Sequence, residues 1–239
     1  LYVTLEAELQ FSVYASDVGS QGTFVSTNQL NVADALGGSI TGLSSYGDYL
    51  GIFKTTGVWR FIGDTEEITN ATLQEIIPIR GCVAPESIAK TPYGIIYVGK
   101  YGVYLTDLQS QTPVELSAPI RGLWMQLAGQ TVFTGAVGTW YPRKEIYVLQ
   151  PVPGTLPAYI LQRLPWVSLV DGSILGVFWG WSKHTSLTLQ AACTWDGDDT
   201  FPLQDDGRFL FGITSGSIKH FDFGTTDSGS AFTPVLETV

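Results

Sequence analysis

The feature that most constrains the fold is a hairpin-like phrase that recurs along the chain. The segment GIFKTTGVWRFIG at Gly51–Gly63 aligns with IYVGKYGVYLTDL from Ile96 at an offset of 45 residues, which places Gly57 on Gly102. Each copy has an apolar run, a polar pair, a glycine and a second run with an aromatic centre. Such a unit predicts a β-hairpin with one face to bury, because primed hairpin turns favour glycine or asparagine.

Three further segments follow the same pattern. GTFVSTNQLNVAD at Gly22–Asp34 aligns with the Gly51 copy at an offset of 29 residues, LFGITSGSIKHF lies at Leu210–Phe221, and TWYPRKEIYVL at Thr139–Leu149 is a variant with PRKE in its turn. The predicted turn positions of the four glycine or asparagine copies are Asn28, Gly57, Gly102 and Gly216. We expect each of them to occupy the turn of an antiparallel hairpin.

The rest of the chain has the same strand-forming character. Apolar and polar residues alternate in LYVTLEAELQFSVYA and EIYVLQ, and the chain combines 27 glycines with 13% aromatic and only 14% charged residues. This pattern is typical of many short strands joined by tight turns. The best helical candidate, Glu66–Ile76, is short and lacks an apolar stripe. The sequence therefore predicts an essentially all-β protein.

The repeat spacing favours a β-propeller-like array of antiparallel hairpins, with a β-sandwich as the alternative. A four-stranded blade needs about 40–45 residues, so 239 residues hold about five. We expect residues 1–239 to form a single propeller-like domain that belongs to a longer chain, since the sequence starts without methionine. The proline-rich segment Leu149–Trp166 is the only plausible seam, and its composition favours a long inter-strand loop.

Charge and hydropathy exclude several classes of function. The formal net charge is −10, from 22 acidic and 12 basic residues, and no cluster of Lys and Arg offers a general grip on nucleic acid. The acids are scattered, which is typical of a solvated surface, although an acidic wall would also suit a conduit to which DNA must not stick. No apolar run approaches the length of a membrane helix.

The two cysteines carry little evidence of chemistry. Cys82 and Cys193 have no CxxC neighbour, so a zinc site is not predicted. A disulfide between them is one interpretation, and two buried free thiols that pack as small hydrophobes are the favoured one.

Enzymatic motifs are scarce. The sequence has two histidines, His184 and His220, but no GxSxG motif that would supply a serine nucleophile for either of them. No phosphate-binding P-loop occurs. The loop from Thr194 to Arg208 contains Asp196, Asp198 and Asp199, which could bind Ca²⁺, but a turn in solvent is favoured because the twelfth position from Asp196 is Gly207 rather than glutamate. A glycosidase pair of carboxylates stays open, since it needs only two acids. We expect no catalytic residue, cofactor or metal.

The seven tryptophans allow two interpretations. Trp179 and Trp181 in GVFWGWSKH lie two residues apart, which puts them on the same side of a strand. They could form a sugar-stacking platform in a receptor-binding module, but packing in a core or at a subunit interface is favoured.

An ordered set of phrases runs through the first half of the chain. ITGL at Ile40–Leu43 is followed by a strand that ends in Phe53-Lys54, then by GCVAPESI at Gly81–Ile88 and a GVY strand from Gly102. This order resembles a family of structural proteins from tailed bacteriophages, and the resemblance covers about Asn28–Trp124, where PVELSAPIRGLW closes the segment. From Gly129 onward the chain is similar to the family only in style.

The resemblance implies a fold and a role. Family members are similar to tail-nozzle, tail-hub and DNA-stabilising components of short-tailed phages, which build propeller-like β-domains in rings around the DNA exit channel. It implies that Gly42 allows close backbone approach and that Pro85 rigidifies the connection after Cys82. The aromatic residues that it places in the spaces between blades are Phe53, Trp59, Tyr97 and Tyr104.

The resulting expectation is a non-enzymatic component of a virion tail that supports assembly and DNA retention or ejection. Its partners would be further copies in a homo-oligomeric ring, for which a hexamer is one candidate, and other tail or portal-adaptor proteins, with viral DNA passing unbound. The alternatives are a carbohydrate-binding receptor module and a glycan hydrolase on a propeller fold. Neither His184 nor His220 is expected to matter for activity.

Overall fold

The computed structural model describes residues 2–4, 11–17, 20–32, 36–63, 71–130, 133–167, 174–185, 187, 189–195, 208–213, 216–220, 226–227 and 230–231. The chain divides into two compact units, residues 1–115 and 116–239. Both are built mainly from antiparallel sheets, so the all-β prediction is confirmed. No sheet of the described residues closes on itself. The single propeller-like domain over residues 1–239 stays a prediction.

The described part of residues 1–115 contains eleven strands in three sheets. The strands are β1 (Tyr2–Thr4), β2 (Ser12–Asp17), β3 (Ser20–Asn31), β4 (Ile40–Tyr46), β5 (Tyr49–Lys54), β6 (Gly57–Ile62), β7 (Thr72–Pro78), β8 (Ala89–Thr91), β9 (Gly94–Gly99), β10 (Gly102–Thr106) and β11 (Val114–Glu115). The first sheet is β1–β3, the second β4–β7 and the third β8–β11, and in each sheet neighbours in the chain are neighbours in space. Each sheet is thus an antiparallel meander.

The second sheet is buried on both faces. Ile52 packs in a cluster with Val13 of the first sheet, whereas the next residue, Phe53, packs in a cluster with Ile95 and Tyr97 of the third. Successive side chains of a strand point to opposite faces, so β5 supplies one core residue to each cluster. The three meanders therefore stack face to face in the order in which they occur along the chain.

Two of the predicted hairpins are confirmed, with a correction to their chemistry. Phe53 pairs with Val58 around the loop Thr55–Thr56, and Gly99 pairs with Gly102 around the loop 100–101. Gly57 and Gly102 therefore lie just after their turns, and neither has a positive φ. At Gly57 the glycine is needed for space instead, because a Cβ there would lie 2.7 Å from the carbonyl oxygen of Ile77.

The other two turn predictions differ in outcome. Gly216 lies in the turn before the strand Ile218–His220, with φ of +79°, as predicted. The prediction for Asn28 is wrong, because Asn28 lies inside β3. Strands β2 and β3 pair through Asp17 and Ser20, so their connection precedes Asn28. The alternation through Leu30 and Val32 keeps this segment extended.

Residues 116–239 contain one α-helix and nine strands within their described part. They are α1 (Arg121–Gln130), β12 (Val137–Tyr141), β13 (Ile146–Gln150), β14 (Ala158–Val167), β15 (Ile174–His184), β16 (Ala191–Trp195), β17 (Arg208–Gly212), β18 (Ile218–His220), β19 (Thr226–Asp227) and β20 (Ser230–Ala231). Strands β12–β15 form a fourth meander, β16–β18 a fifth sheet, and β19 pairs with β20. Side chains of the fourth and fifth sheets share a core that includes Tyr141, Val148, Phe209 and Phe211.

Two predictions about connections in this unit have mixed outcomes. The PRKE turn is confirmed, because Pro142–Lys144 form a 3₁₀ turn and Glu145 takes the left-handed conformation, with φ of 50°. The long loop predicted over Leu149–Trp166 is confirmed only for residues 151–157, because Leu149 and Gln150 belong to β13 and β14 begins at Ala158. Pro165 fits in β14 because it pairs only with Val177 of β15, beyond the stretch bonded to β13.

Helix α1 was not predicted, whereas Glu66–Ile76, the segment rejected as a helix for want of an apolar stripe, is extended over much of its described part. Thr72–Pro78 form β7, while residues 64–70 lie outside the described part. Among residues 121–128 of α1, whose burial is described, only Trp124 is fully buried, and its ring lies 4.6 Å from that of Phe133 between ring centroids. One buried anchor gives no apolar stripe at helical spacing, so the periodicity of the sequence does not reveal this helix.

Candidate functional site

The phrases that carry the phage-family resemblance meet at one place between the second and third sheets. The hydroxyl of Thr41, in β4, lies 3.2 Å from the carbonyl oxygen of Phe53 and 3.0 Å from that of Cys82. The amide of Cys82 donates to the carbonyl oxygen of Lys54 at 2.8 Å. Residues from ITGL, from the strand that ends in Phe-Lys and from GCVAPESI are therefore bonded to one another. We call this set, Thr41, Phe53, Lys54, Gly81, Cys82 and Ser87, the intersheet joint.

Close packing at the intersheet joint requires glycine at position 81. A Cβ on Gly81 would overlap the carbonyl oxygen of Lys54 and lie 2.5 Å from the amide nitrogen of Gly57. Both neighbours are backbone atoms, which cannot rotate away. Gly42 is also crowded, but by the side chain of Ile88, so the close approach expected there is to a side chain rather than to backbone.

A short 3₁₀ turn follows Cys82 and ties the joint to β9. Pro85 is the first residue of this turn, Pro85–Ser87, which fits the rigid connection that the resemblance implied. The hydroxyl of Ser87 donates to the carbonyl oxygen of Ala84 at 2.6 Å and accepts from the amide of Val98 at 3.0 Å. Ser87 is fully buried, so these bonds satisfy a polar group that would otherwise be costly to bury.

Lys54 extends the joint to the first sheet. Its side chain is fully buried, and Nζ donates to the carbonyl oxygen of Val32 at 2.7 Å. The ammonium also lies 5.1 Å from the ring centroid of Phe11. The Phe53-Lys54 pair thus contacts the third sheet through its aromatic ring and the first sheet through its cation.

Aromatic side chains fill the space between the second and third sheets, as expected. Phe53 meets Tyr97 edge-on at 5.2 Å between ring centroids, and Tyr97 lies 5.6 Å from Tyr104. Trp59 is half-buried and packs instead on the cluster shared with the first sheet. The Tyr97 hydroxyl donates to the carbonyl oxygen of Arg80 at 2.9 Å, and burial raises its pKa well above the usual value.

The cysteines are free, and they differ in exposure. Cys82 is buried, as predicted, and burial raises the pKa of its thiol from 9.0 to about 11. Cys193 is exposed in β16, so the prediction of a second buried thiol is wrong. Alternation along β16 turns this side chain outward.

We expect a thiol reagent to distinguish the two cysteines. In mildly alkaline buffer, dithiobis(nitrobenzoate) should modify Cys193 rapidly and spare Cys82, because the reagent needs an accessible thiolate and Cys82 is buried with a raised pKa. The absorbance of the thiolate released from the reagent gives the number of cysteines that have reacted. Cys193→Ser should lose the fast phase and react only after denaturation. A fast phase that survives in Cys193→Ser would contradict the buried position of Cys82.

The histidines and acids singled out in the sequence do not form a site in the described part of the chain. His184 ends β15, with its Nε2 3.4 Å from the hydroxyl of Ser182, and His220 ends β18 in another sheet. Asp196, Asp198 and Asp199 lie outside the described residues. Among the residues that are described, no three His, Cys, Asp or Glu side chains are placed to hold a metal ion.

Trp179 and Trp181 are half-buried, and each contacts a residue that is distant in the sequence. Trp179 meets Trp140 at 6.4 Å between ring centroids, and the indole nitrogen of Trp181 donates to the carbonyl oxygen of Leu116 at 2.8 Å. These contacts favour the packing interpretation over an open sugar platform.

A cavity of about 310 Å³ lies at one end of the second and third sheets. Its lining residues are Leu36, Thr55, Thr56, Ile79, Arg80, Gly81, Lys100, Tyr101 and Tyr104, and we call it the basic cavity. It is flanked by the β5–β6 and β9–β10 turns, which are the equivalent turns of the two best-matched sequence repeats. No pattern in the sequence predicts this cavity, although the repeat pairs Thr55–Thr56 with residues 100–101.

The charge of the basic cavity is opposite to that of the whole chain. Among the described residues, its lining includes Arg80 and Lys100 and no carboxylate. Arg80 lies 5.8 Å from the ring centroid of Tyr104, and Lys100 lies 5.4 Å from that of Tyr101. Both cations therefore lie over aromatic rings beside an open space, an arrangement that can receive an anion.

Comparison with known proteins assigns no family. No protein-family model matches the chain, and no curated protein matches it. Helices in the described part of the chain are all too short or too polar to cross a membrane.

Proposed function

We propose that the chain is a non-enzymatic structural component of a tailed-phage virion, one of several copies that form a ring around the DNA exit channel. The observation that carries the proposal is the intersheet joint. The phrases that resemble the phage family serve there as packing and backbone-bonding groups, and not as an arrangement for chemistry. A set of residues used in this way supports an architectural role.

The stacking of the sheets supports the propeller-like form of the proposal. Blades of a propeller are antiparallel meanders that follow one another in sequence and pack face to face. The first three sheets meet both conditions within residues 1–115, and β12–β15 form a fourth meander. In the proposed ring, rigid blades hold the channel open, and neighbouring copies and other tail or portal-adaptor proteins contact their rims.

Charge supports the proposed relation to DNA. Each cation that neutralises a phosphate releases counterions and adds affinity, so a channel lined with cations would act as a brake on ejection. The net charge of −10 has the opposite effect. Acidic groups act on a passing duplex over a Debye length of about 8 Å at physiological salt, so the effect is largest at the narrowest part of the channel.

Two measurements on the purified chain test the proposal. Negative-stain images and mass photometry should show closed rings, and a chain that stays monomeric at every concentration would contradict the ring. Binding of labelled glycans at the Trp179 and Trp181 surface would favour the receptor-binding alternative.

We further expect the chain to leave duplex DNA unbound at physiological ionic strength. Its charge gives a phosphate backbone no general attraction. Fluorescence anisotropy of a labelled duplex, titrated with protein at low and at physiological salt, measures this. Tight binding that weakens as salt rises would contradict the conduit-wall role.

A further inference from the structure

The basic cavity has a wall that is held in place before any ligand binds. One wall is the segment Ile79–Gly81, which connects β7 to the intersheet joint. The Tyr97 hydroxyl fixes the carbonyl of Arg80 at 2.9 Å, and the amide of Cys82 fixes the end of the segment to Lys54 at 2.8 Å. A prearranged wall lowers the entropic cost of binding.

Exposed apolar side chains surround the two cations. Leu36, Ile79 and Tyr101 are 62%, 69% and 49% exposed. All three belong to the lining of the basic cavity. An aliphatic and aromatic border around Arg80 and Lys100 suits a ligand that has an apolar part next to its charge. Tyr and Arg are also enriched where proteins bind proteins, which favours a protein segment as that ligand.

The backbone of Ile79 supports the same interpretation. Its φ is 68°, in the left-handed region that β-branched residues almost never occupy. Such a conformation is costly and persists where the surroundings impose it, often at binding sites. Here it accompanies a large apolar side chain that stays in solvent at the edge of a basic cavity.

We propose that the basic cavity binds an acidic protein segment in which a carboxylate lies next to an aliphatic or aromatic side chain. The carboxylate contacts Arg80 and Lys100, and the apolar neighbour covers Leu36 and Ile79. A free inorganic anion would leave the apolar border unused. Duplex DNA is disfavoured because two cations compensate few phosphates on a chain of net charge −10. This inference does not depend on the proposed virion role.

The probe is a fluorescein-labelled peptide of alternating glutamate and leucine, titrated with the full chain and followed by anisotropy. Two matched peptides test the two parts of the site: glutamine for glutamate removes the charge, and glycine for leucine removes the apolar groups. We expect each change to weaken binding by about tenfold or more. Equal binding of the glutamate–glycine peptide would overturn the proposal, because it would indicate a site for anions alone.

Protein variants locate the binding. The double variant Arg80→Gln, Lys100→Gln should weaken binding of the glutamate–leucine peptide by about tenfold or more. Lys90→Gln removes an exposed cation of β8 that does not line the cavity, and it should leave the affinity unchanged. Circular dichroism melts of each variant check that it is still folded.

Three outcomes would overturn the proposal. The first is a double variant that binds the glutamate–leucine peptide as tightly as the unchanged chain. The second is complete displacement of the peptide by duplex DNA at equal charge concentration. The third is no measurable binding of the glutamate–leucine peptide at about millimolar protein.

Discussion

Gly81→Ala should lower the free energy of unfolding by about 3 kcal/mol, the upper end of the usual cost of overpacking, because the added methyl group has no space at the intersheet joint. It would overlap the carbonyl oxygen of Lys54 and lie 2.5 Å from the amide nitrogen of Gly57. Since both neighbours are backbone, relief requires the segment to move and break the bond between the Cys82 amide and Lys54. Guanidinium denaturation followed by circular dichroism measures the loss.

The matched control is Gly122→Ala, which adds the same methyl group on an exposed turn of α1 where no atom lies within 4 Å. Alanine is the better helix former, so this variant should be unchanged or more stable by about 0.5–1 kcal/mol. A Gly81→Ala protein as stable as the Gly122→Ala protein would show that the two sheets do not pack as closely as described.

Phe53→Ala should cost about 3–5 kcal/mol, the usual range for emptying the site of a buried phenyl ring. Phe53 is fully buried, and its ring meets Tyr97 edge-on at 5.2 Å in the cluster between the second and third sheets. Strand β5 is hydrogen-bonded to β4 on one side and to β6 on the other. It therefore cannot move into the cavity without breaking at least one of these two pairings. The midpoint of guanidinium denaturation should fall accordingly.

The control for this variant makes the same substitution at an exposed ring. Phe178 is 50% exposed in β15, so Phe178→Ala should change stability by about 1 kcal/mol or less. Equal losses for Phe53→Ala and Phe178→Ala would contradict the role of Phe53 as a core residue between two sheets.

The two large predictions bear on the proposed function as well as on stability. Phe53 and Gly81 hold consecutive meanders together, and a ring of propeller-like domains would need those contacts to keep its shape. The proposed function therefore predicts that ring assembly fails in both variants under conditions where Phe178→Ala and Gly122→Ala still assemble.

Local features of the sequence were sufficient to predict that the chain is built of strands and to predict several of its turns, but not β14, which was expected to be a loop. Alternation with a period of two identifies a strand from its own residues, and the repeated phrase around Gly57 and Gly102 identified two hairpins that the structure contains. The same reasoning failed at Asn28, where alternation continued through the expected turn. It also missed α1, in which Trp124 is the one buried residue among those whose burial is described, so no helical stripe marks it.

The sequence by itself thus determined an all-β chain of sequential meanders, because hairpins depend on residues a few positions apart. Only the tertiary structure decided what the hairpins form together. Thr41 meets Cys82, and Arg80 and Lys100 line one cavity, because sheets stack on one another and bring together residues that are distant in the chain. Sheet packing is set by side chains that interlock across two faces at once, and no local pattern records which faces meet.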